Sequence, residues 1–174
     1  MTVDDRINQY LAFMPEEAQI SVETLNALGF FTAPASVKYH GNYEGGLFDH
    51  SYTVAQALVE LTDKLGLTWI RSRSPYLVGM YHDLCKCDNY VLDGSGNWTY
   101  SDDVLNPDHG SKSALITSRY FDLTAEEELC IRWHMGAYET DTKLWNYYGR
   151  AIERFPNVLY THTADMIASR IIGV

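Results

Sequence analysis

An all-α domain carrying one small β-hairpin is the fold this sequence predicts, on three observations. Apolar residues recur at helical spacing along most of the chain, as at Ile7, Tyr10, Leu11 and Met14, the i, i+3, i+4, i+7 series of an amphipathic helix. Proline and glycine punctuate these periodic stretches: Pro15, Gly29, Gly66 and Pro75 stand where helices should stop or start. One stretch, residues 88–105, departs from the pattern. There Tyr90-Val91-Leu92 and Trp98-Thr99-Tyr100 flank Asp93-Gly94-Ser95-Gly96-Asn97, two short β-formers around a glycine-rich turn.

Taken in order, residues 4–14 predict a first helix with acidic residues at its start, ended by Pro15. A second is predicted from Glu16 to Leu28, with Ile20, Leu25 and Leu28 inward and Gly29 as its cap. Residues 33–46, with Pro34, Gly41, Gly45 and Gly46, break the periodicity and read as a loop carrying His40 and Tyr43. A longer helix spans Leu47 to Leu65 with His50 in its first turns. After a short connection with Arg71 and Arg73, Pro75 opens a helix that ends in His82-Asp83. Beyond the hairpin, helices are predicted over His109–Tyr120, Thr124–His134, Asp141–Phe155 and Pro156–Ile172. Thr124 and Glu127 form a capping box, and Glu126, Glu127 and Glu128 read as a solvated first-turn face.

With 174 residues, 46% of them hydrophobic, the chain suits a single domain over 1–174 with residues 1–33 as an N-terminal helical scaffold. The net charge of -10 argues against an extended nucleic-acid partner, whose phosphates demand Lys and Arg. A small anionic substrate is compatible with it, because a bound metal reverses the local field. Met1-Thr2-Val3-Asp4-Asp5 lacks a basic segment followed by an apolar one, and no run approaches about 18 apolar residues. A cytoplasmic protein without a membrane partner is expected; its oligomeric state is not set by the sequence. Three cysteines, with Cys85 and Cys87 spaced C-x-C, read as reduced thiols, Cys85 as a packed and inert one.

The residues that carry chemistry follow in chain order: His50, His82-Asp83, His109, His134 and Asp165, each in or beside a predicted helix. Ligands projecting from helices into a bundle core can hold metal with a fixed geometry. Mixed imidazole and carboxylate donors without thiolate favour Mn, Fe, Co, Ni or Zn. Lys86, three residues after Asp83, either caps the C-terminal end of its helix or contacts a phosphate. Lys112, three after His109, is a second candidate phosphate contact. His40 reads equally as a substrate-side residue or a structural hydrogen-bonding one, and His162 as a support for Asp165 or a packing residue.

Over about residues 36–170 the sequence resembles the HD-domain metal-dependent phosphohydrolases. Phe48-Asp49-His50-Ser51-Tyr52-Thr53-Val54-Ala55 looks like their first His, His82-Asp83-Leu84-Cys85-Lys86 like their His-Asp pair with its following lysine, and Ala164-Asp165-Met166-Ile167-Ala168-Ser169 like their final Asp. The stretch from His40 to His50 is also similar to the HD domain of bacterial 3'-to-5' exoribonucleases, whose additional OB-type domain has no counterpart in this sequence. The resemblance implies an HD-domain helical bundle in which His50, His82, Asp83 and Asp165 bind a first metal, and Asp83 bridges to a second held by His109 and His134. It implies hydrolysis of a small phosphorylated substrate, a nucleotide, by a metal-bound hydroxide. Lys86 and Lys112 would hold phosphate oxygens, with Asp83 and Lys86 as the catalytic pair. Two such ions roughly 3.5–4 Å apart stabilise an in-line displacement. A mixed-valent di-iron oxygenase with the same ligand series, or a non-catalytic nucleotide or metal sensor, is the competing expectation.

Overall fold

The first predicted helix forms as α1 (Val3–Phe13), started by a capping box in which the Thr2 hydroxyl accepts from the Asp5 amide at 3.1 Å and the Asp5 carboxylate accepts from the Thr2 amide at 2.8 Å. The structure, a computed structural model, describes residues 1–104, 108–136 and 141–174. The predicted second helix is divided. A 3₁₀ turn covers Glu16–Ala18, and α2 runs only from Val22 to Leu28, with Ser21 as its N-cap and Gly29 ending it at φ +81°. The reason is tertiary: the Ile20 amide donates to the buried hydroxyls of Tyr10 (2.8 Å) and Tyr81 (3.0 Å), so it is lost to a helix through this point.

That knot also ties the first helix to the body of the protein. The two tyrosine oxygens lie 2.6 Å apart, and Tyr81 donates to the Ala18 carbonyl at 2.9 Å. Burial pushes the Tyr10 hydroxyl up to about 12 and the Tyr81 hydroxyl well above its usual value, so both remain neutral donors. Tyr81→Phe strands the Ala18 carbonyl and removes one of the two hydroxyls that accept from the Ile20 amide. We expect it to lower stability by about 1–3 kcal/mol, measured as a lower urea midpoint at unchanged slope.

The central pair is α3 (Gly46–Leu65) and α4 (Ser74–Tyr81). They cross where Gly79 meets Ala55: a Cβ on Gly79 would lie 2.8 Å from the Ala55 backbone nitrogen, closer than packing allows. Arg6, 4% exposed, pins the start of α3 to α1 by donating to both Asp49 carboxylate oxygens (2.9 and 3.1 Å) and to the Glu44 carbonyl (3.1 Å). The short α5 (Lys86–Asn89) leads into β1 (Tyr90–Leu92), which pairs antiparallel with β2 (Trp98–Tyr100) in the register Tyr90–Tyr100, Val91–Thr99, Leu92–Trp98.

The remaining helices are α6 (His109–Thr117), α7 (Ala125–Arg132), α8 (Trp145–Arg154) and α9 (Asn157–Met166), the last continuing as a π-helical segment, Ile167–Ile172. One apolar core, including Phe30, Phe48, Leu58, Leu77, Leu84, Ile131 and Val158, joins the helices. Thus the fold is all-α with one small two-stranded hairpin. Among the described residues no helix is long and apolar enough to cross a membrane.

Besides the divided second helix, two further expectations fail. The helix predicted to reach His134 stops at Arg132, leaving His134 in the turn beyond it. The acidic triplet is also not a solvated face, because Glu126 and Glu127 are buried and only Glu128 is exposed. Glu126 accepts from the Ile70 amide (2.8 Å) and the Asn157 side chain (2.9 Å), while Glu127 accepts from Ser74 (3.0 Å) and the Thr124 amide (2.8 Å) beside Arg73. These carboxylates are tolerated inside because each is answered by donors from other elements.

Candidate metal centre

Two histidines are mounted by the same local device. A helix leaves its last carbonyls without amide partners. At the end of α4, His82 turns its Nδ1 to the Gly79 carbonyl three residues back, at 2.8 Å; past α7, His134 does the same to Ile131 at 2.7 Å. On α3, His50 directs Nδ1 to the Val174 carbonyl at 2.9 Å. A carbonyl only accepts, so in all three rings Nδ1 carries the hydrogen and Nε2 is left as a lone pair.

Those lone pairs converge. His50 Nε2 and His82 Nε2 are 3.3 Å apart, and lie 3.5 and 3.4 Å from Asp83 Oδ2. Asp165, from α9, brings Oδ1 to 3.3 Å from His50 Nε2. The other Asp83 oxygen, Oδ1, is 3.4 Å from His134 Nε2 and 2.5 Å from Nε2 of His109, the first residue of α6. At that last distance the two atoms are poorly aligned for a hydrogen bond. Asp83 is therefore divided, with Oδ2 toward His50 and His82 and Oδ1 toward His109 and His134. Three overlapping groups result, His50–His82–Asp83, His82–His134–Asp165 and Asp83–His109–His134, each with donor atoms within 4.8 Å of one another.

This environment is hard to account for without added positive charge. His50, His82 and His134 are fully buried, Asp83 and Asp165 nearly so, and His134 Nε2 has no hydrogen-bonding partner among the described residues. Lone pairs facing carboxylates at 3.3–3.5 Å repel unless a cation lies among them. Lys86, 8% exposed, supplies one, with Nζ 2.6 Å from Asp83 Oδ2. Burial would raise the Asp83 pKa, but Lys86, with His82 and His109, holds it well below the usual carboxylate range; Asp165, opposed by burial and favoured by His50, is also lowered. Four imidazoles and two carboxylates fit a divalent transition ion by the chemistry of the donor set.

Every predicted ligand meets at this point, with Lys86 beside them. The helix predicted to end in His82-Asp83 stops at Tyr81, and a turn over 82–85 brings Lys86 back to the Asp83 carboxylate. His40 flanks the group: its ring lies 4.8 Å from that of His50, its Nε2 is without a hydrogen-bond partner among the described residues, and burial followed by His50 lowers its pKa to about 4. Lys112 faces elsewhere, donating to Asp88 (2.5 Å) and Asn89 (2.8 Å) and so tying α6 to α5. His162 is a support, its Nδ1 2.8 Å from the His134 carbonyl. Cys85 is buried as expected, yet its sulfur lies 3.0 Å from His109 Nδ1. No sequence signal pointed to that contact, nor to Val174 behind His50, which lies 124 residues away.

No family model matches the chain. No solved structure matches it. Among curated proteins the chain is similar to the dihydroneopterin 2',3'-cyclic phosphate phosphodiesterase of Methanocaldococcus jannaschii, 31% identical over 80 residues that cover 44% of this chain and 32% of that protein. The chain thus matches about a third of the length of a relative whose name is that of a phosphodiesterase.

Proposed function

We propose that the protein is a metal-dependent phosphohydrolase of the HD type, acting on a small phosphorylated substrate, a nucleotide or a related cyclic phosphodiester. The observation that carries this reading is the divided Asp83 carboxylate, with carbonyl-locked histidines on both of its oxygens. The similarity to a cyclic-phosphate phosphodiesterase supports ester hydrolysis, and diester over monoester. The net charge of -10 supports a small substrate over a long nucleic acid, despite the likeness of the His40–His50 stretch to exoribonucleases.

His50, His82, Asp83 and Asp165 would hold one divalent ion, and His109 and His134 would share Asp83 with a second. Such ions supply Lewis-acid activation of water and screening of phosphoryl charge. The chain's own groups do the rest. The Lys86 ammonium has three donors and, among the described residues, is paired with Asp83, so its remaining donors can turn to a phosphoryl oxygen as charge develops on it. His40, neutral at physiological pH, offers an imidazole at the edge of the site for a substrate hydroxyl or ring. Tyr90 follows Lys86 by four residues and packs against Tyr100 at a tilt of 59°, ring centres 5.4 Å apart, an aromatic margin suited to a planar base.

The test is elemental analysis of the protein as isolated, paired with hydrolysis assays on 2',3'-cyclic phosphates and a nucleotide panel. Absence of transition metal together with absence of metal-stimulated turnover rejects the reading. Lys86→Met should reduce kcat by about 10²–10³-fold while metal content is retained. Loss of metal in that variant would instead make Lys86 a structural partner of Asp83.

A further inference from the structure

Four imidazoles enter the centre, and their outer nitrogens are not held alike. Nδ1 of His50, His82 and His134 each meets a backbone carbonyl, whereas Nδ1 of His109 meets the Cys85 thiol at 3.0 Å. A carbonyl can only accept; a thiol can donate or accept. The Cys85 sulfur is fully buried, its own amide donates to Ser113 Oγ at 3.2 Å, and Asn89 reaches the sulfur at 3.8 Å, so the side chain is fixed in place beside the ring.

His109 Nε2 stands 2.5 Å from Asp83 Oδ1. A nitrogen lone pair and a carboxylate oxygen repel at that distance, so in this form Nε2 carries the hydrogen even though it is not aimed squarely at Oδ1. Nδ1 is then the lone pair, and the Cys85 S–H is its donor. For Nε2 to act as a ligand, the hydrogen must reside on Nδ1, and the same sulfur then accepts it after a rotation of the thiol. Proton count is equal in the two states, one on the imidazole and one on the sulfur. His50, His82 and His134 need no such change, since their carbonyls hold the hydrogen of the neutral ring on Nδ1.

We propose that Cys85 is a positioning residue, a reversible hydrogen-bond partner that lets His109 exchange tautomers and so makes the cation position on its side of Asp83 the second to fill and the weaker of the two. The inference rests on the metal-dependent reading above and deepens it. The His50 side is preformed, while the His109 side must give up a contact to Asp83 before it binds. The poor alignment of that contact makes it easy to release.

Long-range proton–nitrogen NMR of chelator-treated protein tests the tautomers directly. His50, His82 and His134 should be Nδ1–H and His109 should be Nε2–H, converting to Nδ1–H on addition of Zn²⁺. Calorimetric titration with Zn²⁺ should show two steps. Cys85→Ala should weaken only the second, by about 10–100-fold, and Cys85→Ser, whose hydroxyl also donates and accepts, should restore it. His109 found as Nδ1–H in the metal-free protein overturns the inference, as does a Cys85→Ala variant whose steps are both unchanged or both weakened. A wild-type protein that binds no Zn²⁺ overturns the metal-dependent reading as well, which separates the two failures.

Discussion

Asp83→Ala should empty the centre of both cations at once. Among the described residues, Asp83 is the side chain whose two oxygens face different histidine pairs, at 3.4–3.5 Å on the Oδ2 side and 2.5–3.4 Å on the Oδ1 side. Without it, neither histidine pair retains its shared carboxylate, and Asp165 remains on the His50 side alone. Metal content should fall to background, and turnover by more than about 10³-fold, equivalent to roughly 4 kcal/mol of lost transition-state stabilisation. The helices should persist in far-UV circular dichroism, because Asp83 is not one of the apolar side chains that make up the core. Stability should nonetheless drop, since Lys86 is left as a buried cation without its partner, at a cost of roughly 3–5 kcal/mol. Adding Lys86→Met should recover much of that loss without restoring metal. Full occupancy in Asp83→Ala would end the idea that this carboxylate serves both positions.

Gly79→Ala should act on stability and on the metal centre together, although the change is one methyl group. Gly79 lies where α4 crosses α3, and an added Cβ would meet the Ala55 backbone at 2.8 Å and less. Main chain cannot step aside as a flexible side chain can, so the helices must separate. Overpacking of this kind costs about 1–3 kcal/mol, and for a chain of this size each kcal/mol lowers Tm by roughly 2–4 °C. The separation also acts on the chemistry. His50 rides on α3 and His82 ends α4 with its ring hydrogen-bonded to the Gly79 carbonyl, so the pair of nitrogens now 3.3 Å apart would be pulled out of register. The expected result is a lower Tm together with weaker metal binding. Gly149→Ala in α8, where an added Cβ meets nothing within 4 Å, is the control and should be neutral or stabilising by about 1 kcal/mol or less. Equal behaviour of the two variants would show that the α3–α4 crossing tolerates expansion.

Much of the fold was legible because its signals are local. Gly29 and Gly66 end helices in the left-handed conformation, at φ +81° and +64°, and the hairpin register is set by the turn between Leu92 and Trp98. The convergence of His50, His82, Asp83, His109, His134 and Asp165 was anticipated from the order of residue types and from family resemblance, and no periodicity argument would have assembled it. What was missed depends on partners far along the chain. The break at Ile20 comes from Tyr10 and Tyr81 hydroxyls, and the burial of Glu126 and Glu127 from donors at Ile70, Ser74 and Asn157. An acidic triplet after a threonine cap looks the same in sequence whether its far side meets water or another helix. Lys112 shows the converse, since its spacing from His109 suggested a phosphate contact whereas Asp88 and Asn89 engage it.

The backbone carbonyls behind His50, His82 and His134 have a consequence for the whole molecule. They keep the donor atoms aimed inward whether or not a cation is present, so the metal-free protein holds like-polarity atoms together that the unfolded chain would let drift apart. A cation that binds only the folded form removes that repulsion and shifts the unfolding equilibrium by mass action. Under the metal-dependent reading proposed above, persistence of the native state would be tied to the metal supply of its surroundings, and scarcity would be felt as faster turnover of the protein itself before any substrate is involved.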